Sequence, residues 1–191
     1  MKISRRFTAV LGAAAAIALP VAAQAQVTYY TTGVFTSSGT NTISNGGMTI
    51  NFANLPSTTT GTPSNISYGD FVTSGTGNGS FSDTFTLNVF QTAPTGGSGN
   101  FVGAITGTLT GTSSLTYWKV TGPTSFNIGA STYSVNTNAI PGGTGYSIVA
   151  PNNNNGHTTV QGFVSTPEPS SMALLGTGLV GLVPMIRRRK K

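Results

Sequence analysis

The chain has no cysteine, and charged residues make up only 6% of its 191 residues. Without thiols it can form neither a disulfide framework nor a thiolate metal site, so packing and hydrogen bonding must supply its stability. It has only three acidic residues and a single histidine. Acid–base catalysis and carboxylate metal sites both draw on such groups. The sequence therefore predicts a protein that is not an enzyme and needs no cofactor or metal.

The formal net charge of +6 and the isoelectric point of about 10 arise from the two ends of the chain. Between residues 26 and 166 the only charged side chains are Lys119, Asp70 and Asp83, a formal net charge of −1. The other cations are terminal: Lys2, Arg5, Arg6, Arg187, Arg188, Arg189, Lys190 and Lys191. Because the middle of the chain lacks a basic stripe that could neutralise phosphates, we expect no nucleic-acid partner.

The body of the chain, residues 26–165, is rich in threonine, serine, glycine and asparagine, and its apolar residues recur at period two. In the clearest run, Phe81–Phe90, one face carries Phe81, Phe85, Leu87 and Val89. Such alternation between turn-rich segments predicts β-strands. Nine strands are predicted in this way: Val27–Phe35, Met48–Phe52, Ile66–Val72, Phe81–Phe90, Phe101–Thr110, Leu115–Val120, Ser125–Ile128, Thr132–Val135 and Thr158–Val164.

Many short strands at this spacing are typical of an antiparallel sandwich or a barrel. We predict an all-β, antiparallel β-sandwich, jelly-roll-like, flanked by an N-terminal signal helix and a C-terminal transmembrane helix. Gly103 and Gly107 fall on the inward face of their strand, where they would leave room for large side chains opposite or mark bulges. Five loops are predicted between strands: Ser57–Asn65, Ser74–Gly79, Thr92–Asn100, Pro141–Gly145 and Pro151–Gly156.

Residues 1–25 have the three parts of a secretory signal peptide. A basic region ends at Arg6, an alanine-rich apolar run covers Phe7–Leu19, and Ala23 and Ala25 fit a small-residue cleavage site. The apolar run is too short for a stable membrane span. We therefore expect the Sec machinery to export the chain and cleavage to leave Gln26 as the first residue.

Residues 166–191 form a second terminal segment with three parts in order. Pro167-Glu168-Pro169 should be extended, because each proline fixes its own φ and keeps its predecessor out of the α region. Residues 170–186 carry no charge; as a helix, the apolar run from Met172 would be roughly 22 Å long, against about 30 Å of bilayer hydrocarbon. A basic tail, residues 187–191, follows. The positive-inside rule keeps that tail cytoplasmic, so the body lies across the membrane.

This tail resembles the PEP-CTERM sorting signal of Gram-negative bacteria. The resemblance rests on Pro167-Glu168-Pro169-Ser170-Ser171, on Ala173-Leu174-Leu175-Gly176 at the start of the span and on the terminal Arg/Lys cluster, while Pro184 departs from the pattern. It implies an exosortase partner, a membrane-embedded enzyme that cuts near Pro167-Glu168-Pro169. It also implies a precursor held transiently in the inner membrane, then released to the surface or the medium, in the company of exopolysaccharide and biofilm production.

Aromatic residues of the body offer a candidate glycan contact. Trp118 and Tyr117, with Tyr29 and Tyr30, could form a platform on which sugar rings stack. The other interpretation places Trp118 in the core and packs the tyrosines across strands. Burial of Trp118 would rule out the platform.

A hydrolase is a third interpretation. His157 could act with a serine and either Asp70 or Asp83, although no G-x-S-x-G elbow is present. A glycosidase would need the two aspartates close together, and the same pair with loop carbonyls could instead hold Ca²⁺. A solvated loop histidine and a turn aspartate are the simpler interpretations.

The terminal segments point to a destination more than to an activity. We predict an exported, exosortase-processed protein of the cell surface or extracellular matrix, with a structural or adhesive role linked to exopolysaccharide and biofilm. A carbohydrate-binding module around Trp118 is the alternative, and a secreted hydrolase ranks after it.

Overall fold

The structure, a computed structural model, describes residues 25–167. It consists of strands and one short 3₁₀ turn at Asn154–Gly156. The strands are β1 (Ala25–Phe35), β2 (Thr42–Asn45), β3 (Met48–Asn54), β4 (Thr58–Thr62), β5 (Ser64–Gly75), β6 (Asn78–Ala93), β7 (Gly97–Thr110), β8 (Thr116–Val120), β9 (Ser125–Ile128), β10 (Ser131–Val135), β11 (Asn138–Ile140), β12 (Gly143–Ile148) and β13 (His157–Ser165). The predicted signal helix and transmembrane helix lie outside the described residues.

The strands form two sheets in which every pairing is antiparallel. The seven-stranded sheet has the order β11-β12-β8-β7-β6-β1-β4, and the six-stranded sheet has the order β2-β3-β5-β13-β10-β9. The predicted all-β, antiparallel fold is confirmed. The arrangement differs from the predicted jelly roll. A jelly roll has eight strands, whereas the described residues form thirteen strands, and the first and last of these, β1 and β13, lie in different sheets.

All nine predicted strands are present, most of them longer than predicted. Four more strands, β2, β4, β11 and β12, were not predicted. The predicted loop Ser57–Asn65 is wrong because it contains β4, which pairs with β1 along its backbone. The predicted loop Pro141–Gly145 likewise contains the start of β12, which pairs with β8.

The core between the sheets is built largely from aromatic rings. Phe52, Phe71, Phe85 and Trp118 are fully buried, and their ring centroids lie 4.8 to 5.7 Å apart in edge-on and tilted contacts. Aromatic pairs at such angles and distances stabilise a core beyond the area that they bury. The period-two pattern predicts the inward position of Phe85, because alternate strand side chains point to one face.

At a bulge in the pairing of β5 with β13, side chains from the opposite sheet form hydrogen bonds with the backbone. The register shifts between Val160 and Gln161. Tyr29 donates its hydroxyl to the Ser67 carbonyl at 2.9 Å. Tyr146 donates to the Gln161 carbonyl at 2.7 Å and accepts from the Gln161 amide at 3.0 Å. Because a bulge interrupts the ladder, these bonds supply partners to backbone groups beside it. The Gln161 carbonyl also accepts a bond from the Asn136 amide at 2.9 Å.

The sandwich has two ends with different contents. The turn end carries the β2–β3, β5–β6, β7–β8 and β12–β13 connections, tied by bonds such as Asn78 N to Gly46 O at 2.9 Å and Asn152 N to Gly111 O at 3.1 Å. The terminus end carries the start of β1, the β4–β5, β6–β7 and β9–β10 connections and the end of β13. Both described ends of the chain therefore lie at the same end of the sandwich.

Candidate functional site

The end of β13 leads directly into the predicted sorting motif. The strand stops at Ser165, Thr166 is half-buried, and Pro167 is exposed. The Thr166 hydroxyl contacts the hydroxyl of Thr62, the last residue of β4. The Thr62 hydroxyl also donates to the carbonyl of Ala25 at 3.1 Å. One buried threonine, 4% exposed, thus holds the first and last described parts of the body together.

The structure describes two of the predicted sorting and cleavage residues. Pro167 is at the surface, and Ala25 is the first residue of β1, where it pairs with Thr62. The others lie outside the described residues: Ala23, Glu168, Pro169, Arg187, Arg188, Arg189, Lys190 and Lys191. Within residues 25–167 there is no helix long and apolar enough to cross a membrane.

Trp118 is a core residue, and the predicted platform around it is wrong. Its side chain is fully buried, stacked on Tyr146 with centroids 5.8 Å apart and an interplanar angle of 20°. Its inward position follows from the pleat of β8, which also buries Val120. The space that the indole fills is provided by Gly103, where a Cβ would stand 2.2 Å from Trp118 Nε1. The indole therefore cannot present a face to a sugar.

The other predicted platform residues are separated by the sheet. Tyr29 points inward and is buried, whereas Tyr117 and Tyr30 are half-buried on the outer face of the seven-stranded sheet. Two strands, β7 and β6, lie between Tyr117 on β8 and Tyr30 on β1. The registers align Tyr117 with Ser82 and Tyr30 with Phe90. At strand spacings of about 4.8 Å and a rise of about 3.3 Å per residue, the two tyrosines are roughly 30 Å apart.

An outward aromatic pair was missed at the sequence level. The rings of Tyr30 and Phe90 stack with centroids 4.8 Å apart and an interplanar angle of 11°. The row beside this pair is polar: Thr32 pairs with Asn88, and Asn88 pairs with Asn100. The signal was available, because Phe90 is out of phase with the inward residues of β6 and must face outward.

The two aspartates lie in different sheets and have different surroundings. Asp83, on the same side of β6 as the buried Phe81, accepts bonds from the Ser37 amide at 3.2 Å and the Ser37 hydroxyl at 2.7 Å. It anchors the loop after β1. Asp70 lies on the outer face of the six-stranded sheet, and its Oδ1 is buried without a hydrogen-bond partner. Because packed sheets are about 10 Å apart, the two carboxylates do not flank a common substrate space.

His157 is the first residue of β13 and is exposed. It pairs with Val72, while Asp70 on the same face pairs with Thr159. His157 and Asp70 are therefore diagonal neighbours on adjacent strands, without a hydrogen bond between them. Among residues 25–167 no group of three or more His, Cys, Asp or Glu side chains could hold a metal ion.

Comparison with known families decides the nature of the segment after β13. A family model, the PEP-CTERM protein-sorting motif, matches residues 165–190. The end of this chain is a PEP-CTERM sorting motif. The match begins at Ser165, the last residue of β13, so the PEP-CTERM motif starts where the sandwich stops. Such a motif implies an exported protein with an exosortase as its processing partner. Comparisons with curated proteins and with solved structures gave no match.

Proposed function

We propose that this chain is a non-enzymatic component of the cell surface or extracellular matrix. The Sec machinery exports it, removal of residues 1–25 leaves the body 26–165, and the span 170–186 holds the precursor in the inner membrane. An exosortase then cuts near Pro167-Glu168-Pro169. The released or attached body takes a structural or adhesive role alongside exopolysaccharide and biofilm.

The observation that carries this proposal is the PEP-CTERM motif at residues 165–190. Its position supports the proposal further, because Pro167 is exposed two residues after the end of β13. A cut there would leave the ladder between β13 and its neighbours intact. The hydroxyl-rich surface of the body, which has only three charged residues, suits contact with neutral polysaccharide, which offers hydroxyls as donors and acceptors.

Replacing Pro167, Glu168 and Pro169 together by alanine tests the processing step. We expect the variant to stay at precursor size in the membrane fraction, while the parent chain appears at lower mass outside. Pro141→Ala, in an exposed turn of the body, is the matched control and should be processed normally. Normal size and destination for the triple variant would contradict the proposal.

Carbohydrate binding is a second candidate function. The proposed binding site is the outward pair Tyr30 and Phe90 instead of the buried Trp118. The stacked rings beside Thr32 and Asn88 combine apolar and hydrogen-bonding groups on an accessible face. Binding modules commonly hold sugars by this combination of stacking and polar contacts.

Binding of the processed protein to the polysaccharide of its own cells tests this candidate. We expect Tyr30→Ala to weaken binding about tenfold, the effect of losing roughly 1.4 kcal/mol. Tyr117→Ala removes an outward tyrosine from the other part of the same face and should leave binding unchanged. Equal losses in both variants, or none in either, would rule out a site at the pair.

A further inference from the structure

We propose that the terminus end of the sandwich is a membrane-facing surface in the precursor and that the turn end points away from the lipid. The partner of this surface is the lipid bilayer in which the sorting tail is held. The inference rests on the proposed function, because it needs the precursor to be anchored.

The first support is the meeting of the two chain ends. Ala25 and Thr166 both contact the Thr62 hydroxyl, and Val164 pairs with Ser64 just beyond β4. The leader therefore enters, and the sorting tail leaves, from one end of the body. Whether the leader or the sorting tail is in the membrane, it tethers the body by this same end.

The second support is the length of the connection compared with the length of the body. Five residue steps separate Ser165, the end of β13, from residue 170, where the predicted span begins. Fully extended, they reach at most about 18 Å. By contrast β7 runs the length of the sandwich with 14 residues, which at about 3.3 Å per residue is roughly 46 Å. The tether keeps the terminus end near the bilayer and leaves the turn end free to stand away.

The third support is the distribution of charge. The terminus end consists of Ala25, Pro63, Thr166 and the turns at residues 94–96 and 129–130, all of them uncharged. Lys119, the only Lys or Arg among residues 25–167, lies near mid-length of the sandwich, where it pairs with Ala104 of β7, and its side chain is beside Gly143. No basic patch among the described residues would draw a long side of the sandwich onto anionic headgroups.

The absence of cysteine allows a direct test with matched positions at the two ends of β7. Gly96→Cys lies in the exposed turn before β7, where an added Cβ would have no neighbour closer than 4.0 Å. Thr112→Cys lies in the exposed turn after it. Each full-length variant carries one fluorophore on its thiol and is reconstituted into phosphatidylcholine vesicles that contain a headgroup-attached nitroxide quencher. Flotation of the vesicles reports anchoring separately from quenching.

We expect both variants to float and the Gly96 label to be quenched at least severalfold more than the Thr112 label. A 20-residue Gly/Ser insertion after Thr166 should reduce this contrast, since its r.m.s. span is about 25 Å. Flotation with equal quenching, or stronger quenching at Thr112, overturns the orientation and leaves the anchored precursor standing. Failure of both variants to float contradicts the anchored precursor itself, and the orientation is then rejected with it.

Discussion

At the scale of single residues, the position that most constrains the core is Gly103. It is the small residue against which the largest buried side chain, Trp118, is placed. Its notional Cβ meets both the indole and, at 2.5 Å, the Lys119 carbonyl. The prediction that Gly103 leaves room for a large neighbour is confirmed. Gly107 pairs with Phe81 without a register shift, so it does not mark the alternative that was predicted, a bulge. Its φ of 129° is accessible to glycine and costly for other residues.

Gly103→Ala should destabilise the fold by about 1 to 3 kcal/mol, the usual cost of overpacking a core. The backbone carbonyl cannot move aside, so the indole or the strand must shift. Urea denaturation followed by the fluorescence of the single tryptophan measures this directly. Gly96→Ala is the control, because its Cβ would have no neighbour closer than 4.0 Å. Equal stability of the two variants would contradict the packing argument.

The buried tyrosines predict a loss of stability in alkali. Burial raises the pKa of Tyr29 and the pKa of Tyr146 from 10.0 to about 12. It also raises the pKa of Tyr68 and of Tyr133. Above pH 10 the unfolded chain therefore loses these protons before the folded one, and the unfolded state gains stability. Below pH 10 both states are protonated, and these groups contribute no pH dependence.

The free energy of unfolding, measured by urea denaturation in steps from pH 9 to pH 12, should be constant to about pH 10 and then fall. Each titrating group contributes up to about 1.4 kcal/mol per pH unit. Tyr146→Phe removes one such group and should make the fall shallower. A flat profile through pH 12 would show that the phenols ionise as readily in the folded protein as in the unfolded chain.

At the scale of elements, strands with an apolar face were predictable and strands without one were not. The sequence of β4, Thr58–Thr62, is four threonines and a glycine. As an edge strand it is held by its backbone bonds to β1 and buries little, so no apolar alternation marks it. The strand β12 has inward Tyr146 and Ile148, but its glycine-rich start is typical of a turn.

The orientation of Trp118 shows the limit of the period-two argument for the candidate site. In Leu115–Val120, Leu115 and Tyr117 fall on one face while Trp118 and Val120 fall on the other. Both faces carry apolar groups, so alternation alone cannot choose the inward one. The choice is made by β7, whose Gly103 pairs with Val120 and leaves the space for the indole. That information is distant in the sequence.

The contact between β4 and the end of the body predicts an effect of Thr62→Val. Valine keeps the shape but removes the hydroxyl that serves Ala25 and Thr166. Loss of a buried hydrogen bond costs roughly 1 kcal/mol, and here we expect it as local fraying. Amide hydrogen exchange at the C-terminal end of β13 should accelerate, and limited proteolysis should trim the C-terminal end of the body earlier. Thr60→Val on the same strand is the control, because that hydroxyl bonds only to the adjacent Gly61 carbonyl. Equal exchange in both variants would contradict the role of Thr62.

At the scale of the whole molecule, charge and fold are assigned to different parts of the chain. The described sandwich contains Lys119, Asp70 and Asp83, and all other charged side chains lie in the two terminal segments. The overall isoelectric point of about 10 therefore describes the precursor and not the body. A net charge near zero favours association. Charge repulsion therefore contributes little to keeping copies of the body apart, and hydration of its hydroxyl and amide groups must do so.

This separation predicts different behaviour before and after processing. At neutral pH and low salt, detergent-solubilised precursor should bind a cation-exchange resin, because its formal net charge is +6. The processed protein should pass through, because residues 26–166 carry a formal net charge of −1. Retention of the processed form would reveal a basic patch that its composition does not provide.

The long pairing of β6 with β7, from Asn78–Thr110 to Gln91–Gly97, has a mechanical consequence. If the terminus end is anchored and the turn end binds another structure, the applied force acts parallel to the strands. The hydrogen bonds between β6 and β7 are then loaded together in shear and do not break one at a time. A fold of this kind, without a single covalent cross-link, resists stretching along its own axis most strongly.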